Sequence, residues 1–172
     1  STLETLAKLR PLFEGGIVTA GNASGVNDGA AALFVGSRKV GEKAGAKPIA
    51  RILAAAASAV EPRIMGVGPA YAIPKAAERA GISLKDLDII EINEAFASQV
   101  LGCLKLMNVD FKDQRVNPNG GAIAIGHPLG CSGARLVITV ARELQRRKGR
   151  YAAISLCIGV GQGLAVIIER FQ

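Results

Sequence analysis

The 172 residues are 49% apolar and 20% charged, a globular composition that excludes an intrinsically disordered chain and suffices for one full-sized core. A formal net charge of +7 admits anionic partners, yet aromatic residues make up only 4% and Trp is absent, which argues against a base-stacking nucleic-acid surface. No stretch reaches the length of a membrane span, and Cys103, Cys131 and Cys157 stand at unrelated spacings that provide no disulfide framework and point to a reducing compartment.

The chain opens helix-like over residues 3–9, and Ser1 reads as the start of a piece from something longer. Residues 1–16 are expected to be a segment of a preceding half or a linker, and 17–172 the domain proper. Arg10-Pro11 through Gly15-Gly16 forms a loop, and Gly21-Asn22-Ala23-Ser24-Gly25-Val26-Asn27-Asp28-Gly29 a long polar turn or ligand segment. A buried strand is predicted over 30–36 and a short charged helix over 38–44. A second strand begins at 48–54, where the Ala-rich run 54–57 suits a helix equally well. Pro69 stands near N1 of a helix that reaches Arg79 and closes at Gly81, and Ser83 with Asp86 carries a weak capping signal. The third strand, 88–92, runs straight into Asn93-Glu94-Ala95-Phe96, and a helix continues to Leu106.

The next stretch holds the sole histidine, His127, with five glycines within seven positions of it. Pro128 disfavours helical geometry at His127, and Ser132 is an acceptable N-cap for a helix that Gly149 stops. A histidine on a glycine-rich loop before a helix N-terminus is placed to act on an anion or developing oxyanion; a tight turn with an incidental solvated histidine is the competing reading. Two closing strands, 151–156 and 164–169, flank a glycine-rich hairpin at 157–163. The order βαβαβαββ predicts an α/β fold, a mixed five-stranded sheet with helices on both faces.

Polar residues at the C-terminal end of a strand sit where open α/β sheets place their sites, which singles out Asn93 and Glu94 beside His127 and Cys157. Cys157 ends a strand next to Gly159, Gly161 and Gly163, whose N–H groups suit an oxyanion; a small buried apolar residue is the alternative there. With one histidine and no CxxC pair, a zinc site is not expected. Gly159-x-Gly161 has Leu at position 164 and precedes a strand, so it fails as a dinucleotide fingerprint, and there is no GKS or GKT for a P-loop.

Together these segments resemble a known family. Asn93-Glu94-Ala95-Phe96, Gly126-His127-Pro128 and Cys157-Ile158-Gly159-x-Gly161 look like the three C-terminal signatures of thiolases. Gly21-Asn22-Ala23-Ser24-Gly25 with Asp28-Gly29-Ala30-Ala31 is similar to the thiolase segment that lies along coenzyme A. The resemblance implies a thiolase-like fold, with 17–172 as the thiolase C-terminal domain, and 3-oxoacyl-CoA cleavage or the reverse Claisen condensation as the activity.

It further implies His127 as the base for a nucleophilic cysteine in an N-terminal half, since none of the three cysteines present matches that nucleophile's context. His127 with a water on Asn93, and the Gly159 N–H, would form oxyanion holes, and Cys157 would be the second acid/base. Ser24 would hydrogen-bond the pantetheine arm, and Ala95 and Phe96 would line the thioester end, with a plain core role as the alternative for Phe96. Coenzyme A and acyl-CoA are then substrates, with no cofactor and no metal. The parent is expected to be a homodimer or homotetramer in the cytoplasm or an organelle, with neither nucleic acid nor membrane as partner. A ketoacyl-synthase-like condensing enzyme and a non-catalytic acyl-CoA-binding or assembly module are the alternatives. On its own the chain is expected to be inactive and to expose an apolar helical face around Val100, Leu101 and Leu104.

Overall fold

The computed structural model describes residues 1–171. Two short helices, α1 (Leu3–Ala7) and α2 (Arg38–Lys43), flank a long stretch without regular structure. Then come β1 (Ala50–Ala59), a tight helical turn (Pro62–Val67) that runs into α3 (Gly68–Arg79), β2 (Ile89–Ile92) and α4 (Ala97–Leu106). The single turn α5 (Ala122–Ile125) precedes the long α6 (Leu129–Arg147), and β3 (Tyr151–Ile158) and β4 (Gln162–Arg170) close the chain.

The sheet order is β1-β4-β3-β2, with β2 and β3 parallel and the other pairs antiparallel. Helices cover both faces. On one side Ile90 and Ile92 pack with Ile73, Ala76 and Ala77 of α3 and Cys103 and Leu104 of α4. On the other, Ile89, Ala152, Ile154 and Ile168 meet Leu136, Val140 and Leu144 of α6, which recur every four residues along one helix face. Each such buried aliphatic side chain contributes roughly 1.5–3 kcal/mol of transfer free energy. α3 approaches β4 so closely that a Cβ on Gly163 would stand 2.3 Å from the carbonyl carbon of Gly68, so only glycine fits there.

The mixed α/β class holds, but the described residues form four strands, not five. Residues 30–36 have no regular structure and are largely exposed, Phe34 at 82%, and no ladder partner reaches them among the described residues. The outer side of β2 carries a single bridge from Val116 instead: Ile90 N donates to Arg115 O at 2.8 Å and Asn117 N to Ile90 O at 3.1 Å. The Ala-rich run is strand, because β1 pairs with β4 from Ala50 opposite Arg170 to Ala59 opposite Gln162, with one bulge between Ile52 and Ala54. Its carbonyls at Ala55 and Ala57 accept hydrogen bonds from Arg79 Nη1 (2.8 Å) and Lys75 Nζ (3.1 Å).

Three local expectations change. α6 begins at Leu129 with Pro128 as its cap, so Ser132 is an interior residue. That helix ends on a left-handed Lys148, φ +58°, one residue before Gly149. Val100 and Leu104 belong to the core, because α4 turns them toward α3, and only Leu101 of that trio is exposed. The large exposed apolar side chains lie elsewhere, at Phe13, Ile17, Val26, Phe34, Ile125 and Leu129.

Candidate active site

The site forms at the C-terminal edge of the parallel pair β2 and β3. Asn93 N donates to Ser155 O at 2.9 Å, which extends the pairing one residue past β2 and fixes the Asn93 side chain at that edge. Asn117 takes the place of a neighbouring strand: its Oδ1 accepts from Ile92 N at 2.8 Å and its Nδ2 donates to Ile92 O at 2.9 Å. The same Nδ2 donates to Glu94 Oε1 at 3.1 Å, and Glu94 Oε2 accepts from Ile123 N at 3.3 Å. Glu94 is therefore an anchor between β2 and the start of the histidine loop.

His127 sits half-buried just before α6, its N–H donating to Gly25 O at 3.1 Å and Asn27 Oδ1 at 3.3 Å. Its imidazole is held from both sides. Nδ1 lies 2.6 Å from Ser132 Oγ, whose hydroxyl donates to Pro128 O at 3.0 Å. Ser132 thus accepts from Nδ1–H, and Nε2 is left with a lone pair, toward which Asn93 Nδ2 points at 3.2 Å. Burial first, and the Arg135 guanidinium second, hold the imidazole below its ordinary value, so His127 is neutral near pH 7. A neutral ring with its lone pair on Nε2 is the form a general base requires, and here that lone pair accepts from the Asn93 amide.

Cys157 lies two residues beyond Ser155 on β3, at the same edge as Asn93, and pairs with Gly163 of β4. Burial pushes its thiol up, so it is a proton donor in this state and no thiolate. Gly159 follows in the exposed hairpin tip. Ser24, Ala95 and Phe96 come together in a short antiparallel contact: Ser24 N donates to Ala95 O at 3.0 Å, Ala97 N to Asn22 O at 2.8 Å, and Ala23 bridges Phe96. The candidates fall into an Asn93–His127 pair, a neighbouring Cys157 with Gly159, and a strip of Ser24, Ala95 and Phe96. No hydrogen bond joins Cys157 to His127 among the described residues.

The sequence reading did not assign Ser132, Asn117 or Asn27 to the site. Ser132 offered a signal as a small hydroxyl five residues from His127, a spacing that one helical turn brings back to the ring.

An α/β sheet that fixes a neutral histidine at its carboxyl edge, between an amide and a hydroxyl, defines a general acid–base site. Residues 46–170 match the family described as thiolase, C-terminal domain, and residues 1–39 match thiolase, N-terminal domain. The chain is 56% identical over 171 residues to a 3-oxoadipyl-CoA/3-oxo-5,6-dehydrosuberyl-CoA thiolase of Escherichia coli K12, covering 99% of this chain and 43% of that protein. It is 51% identical over 171 residues to peroxisomal 3-ketoacyl-CoA thiolase B of Rattus norvegicus, covering 98% and 40%. Among solved structures, the Bacillus anthracis acetyl-CoA acetyltransferase superposes with a TM-score of 0.93 at 46% identity, over 99% of this chain and 43% of that one. Human mitochondrial 3-ketoacyl-CoA thiolase gives 0.91 at 48%, over 100% and 43%. The chain belongs to the thiolase family. It spans about two fifths of the length of these relatives. No helix among the described residues is long and apolar enough to cross a membrane.

Proposed function

We propose that this chain forms the second half of an acyl-CoA acyltransferase that cleaves a 3-oxoacyl-CoA with coenzyme A, or runs the reverse Claisen condensation. The observation that carries this reading is His127, held between Asn93 and Ser132 with its proton on Nδ1 and its lone pair on Nε2.

The nucleophilic cysteine belongs to a part of the protein outside this sequence. Its thiol approaches Nε2 in place of the Asn93 amide and gives up its proton to the imidazole. The thiolate attacks the 3-oxo carbon, and the oxygen that becomes negative accepts from the imidazolium Nε2–H and from a water held by Asn93. The bond between C2 and C3 breaks, leaving an acyl-enzyme and the enolate of acetyl-CoA. The Gly159 N–H stabilises that enolate oxygen, and the Cys157 thiol, kept protonated by burial, delivers its proton to the α-carbon. Coenzyme A then gives its thiol proton to the Cys157 thiolate and attacks the thioester, and the nucleophilic cysteine leaves and regains its proton from the His127 imidazolium.

The pantetheine arm runs along Ser24, Ala95 and Phe96. Coenzyme A is a substrate here, and this chain's own groups supply the proton transfers and oxyanion contacts around a nucleophile that lies outside it. The three free thiols fit a reducing, cytoplasm-like compartment, and the parent assembles as a dimer or tetramer.

One relative's name makes 3-oxoadipyl-CoA the first substrate to assay with the intact parent enzyme, and acetoacetyl-CoA, the 3-oxoacyl-CoA that joins two acetyl units, is the second. Thiolysis of either, falling ~10²–10⁴-fold in His127→Ala, is the expected result. Near-normal turnover in that variant would overturn the assignment.

A further inference from the structure

β2 is apolar on every position but one. Glu91 interrupts the run, is 1% exposed, and neither carboxylate oxygen has a hydrogen-bond partner among the described residues. Strand alternation turns it to the same face as Ile89, toward α6. From α6 a second buried polar atom without a partner faces this layer, Nη2 of Arg135. A third is Asn93 Oδ1, two residues along the strand from Glu91 and on the same face. All three atoms are buried within this chain itself.

These groups sit on the two elements that hold the imidazole. β2 carries Glu91 and leads into Asn93, which contacts Nε2; α6 carries Arg135 and Ser132, which contacts Nδ1. The charged groups acting on Glu91 are Arg135 and Glu143 from α6 and Glu94 from the turn after β2, and Arg135 is the one that also acts on His127. Glu143 is already neutralised by Arg146 and Arg147, and Glu94 is tied to Asn117 and Ile123. Arg135 has no salt bridge among the described residues, and it is the one cation that acts on Glu91. A buried charge without a contact partner acts over a longer range than a surface one, because little water screens it.

We propose that Glu91 and Arg135 are positioning residues that set the electrostatic field at His127, Arg135 adding to burial in disfavouring the imidazolium and Glu91 offsetting that field when it loses its proton. This rests on His127 being the base of the reaction. With Glu91 protonated, Arg135 acts on the ring unopposed; with Glu91 ionised, the ring becomes a stronger base. Proton uptake by a side chain that never touches substrate thereby governs the base of the site.

The sole histidine makes this directly measurable in the 172-residue chain without turnover, from the imidazole Cε1–H signal in a ¹³C–¹H NMR titration. The wild-type signal is expected to move in two steps: a main one below pH 6.5, where the ring itself titrates, and a smaller one at about 7, where Glu91 does. Glu91→Gln removes the upper step and keeps the lower. Arg135→Met moves the main midpoint upward. A single step in the wild type, an upper step that survives Glu91→Gln, or a midpoint unmoved by Arg135→Met would each overturn the assignment. The wild-type curve decides alone if either variant fails to fold, as judged by circular dichroism. Failure here leaves the acyltransferase reading standing, since the titration requires no catalysis.

Discussion

Gly126 and Asn27 meet so closely that a Cβ on Gly126 would stand 2.3 Å from Asn27 Oδ1. The same oxygen accepts from His127 N at 3.3 Å, and Gly126 itself has φ +94°. One contact thus joins the region matching the N-terminal family to the loop of the C-terminal one, and sets where the histidine sits.

Gly126→Ala should therefore be costly twice over, through left-handed strain and through the clash. A loss of about 1–3 kcal/mol is expected for the backbone conformation alone. Urea denaturation measures it, and a displaced imidazole signal would report the accompanying shift of His127. An unchanged unfolding midpoint would mean that the loop repacks freely.

Ser132→Ala removes the acceptor of the Nδ1–H and leaves a part-buried donor unpaired, at about 1–3 kcal/mol. In the assembled enzyme the ring loses its orientation, and kcat should fall on the order of 10–10²-fold with KM little changed. Ser132→Thr, which keeps the hydroxyl, should restore part of the rate. Equal loss in both variants would assign the effect to packing.

Cys157→Ala should abolish cleavage and condensation while acylation of the nucleophile survives. Mass spectrometry of the enzyme mixed with an acyl-CoA reads this as a stable acyl adduct. Absence of any adduct in a folded variant would give Cys157 another role.

Much of this was legible in the sequence. His127, Asn93 and the glycine pattern carry their chemistry in residue type and local spacing, and β3 and β4 declare themselves as apolar runs around a glycine hairpin. What was not legible depends on partners. Residues 30–36 have strand composition, yet a strand exists only where another strand pairs with it, and these residues find none among those described. The Ala-rich run of β1 has no periodicity to favour strand over helix; pairing to β4 decides it. Ser132 reads as a cap in sequence because it is the one hydroxyl side chain ahead of the apolar run, whereas α6 starts three residues earlier, after Pro128, with no side-chain cap. Glu91 is visible as the one charge in Ile89-Ile90-Glu91-Ile92, but its burial follows from where α6 lies.

Glu91 should also leave its mark on stability. Burial raises its carboxyl from an ordinary 4.5 to about 7, so the folded state holds that proton more tightly than the unfolded one. The resulting stabilisation is complete below pH 4.5 and is lost as pH rises through about 7. A shift of that size corresponds to on the order of 3 kcal/mol. Glu91→Gln should flatten denaturation midpoints across this window and be more stable than wild type above it. A wild-type midpoint constant from pH 5 to 8 would rule out a titrating Glu91.

The whole chain carries no turnover by itself on this reading, and its exposed Phe13, Ile17 and Phe34 should drive concentration-dependent association. Analytical ultracentrifugation and an acetoacetyl-CoA assay test both halves of the expectation. Thioester cleavage abolished by mutating Cys103, Cys131 or Cys157 would show a nucleophile within this chain.

Lys75 and Arg79 stand four residues apart on α3, about 6 Å along the helix, and the carbonyls they reach, Ala55 and Ala57, are two apart on β1, about 6.8 Å along the strand. The two repeats match closely enough for one helix face to occupy successive outward carbonyls of the edge strand. Without those cations, the alanine run of β1 would present open acceptors along the sheet edge, a template for a stray strand from another molecule. The cationic side chains make the sheet finite, and replacing both with alanine should turn a soluble edge into a seed for fibrils.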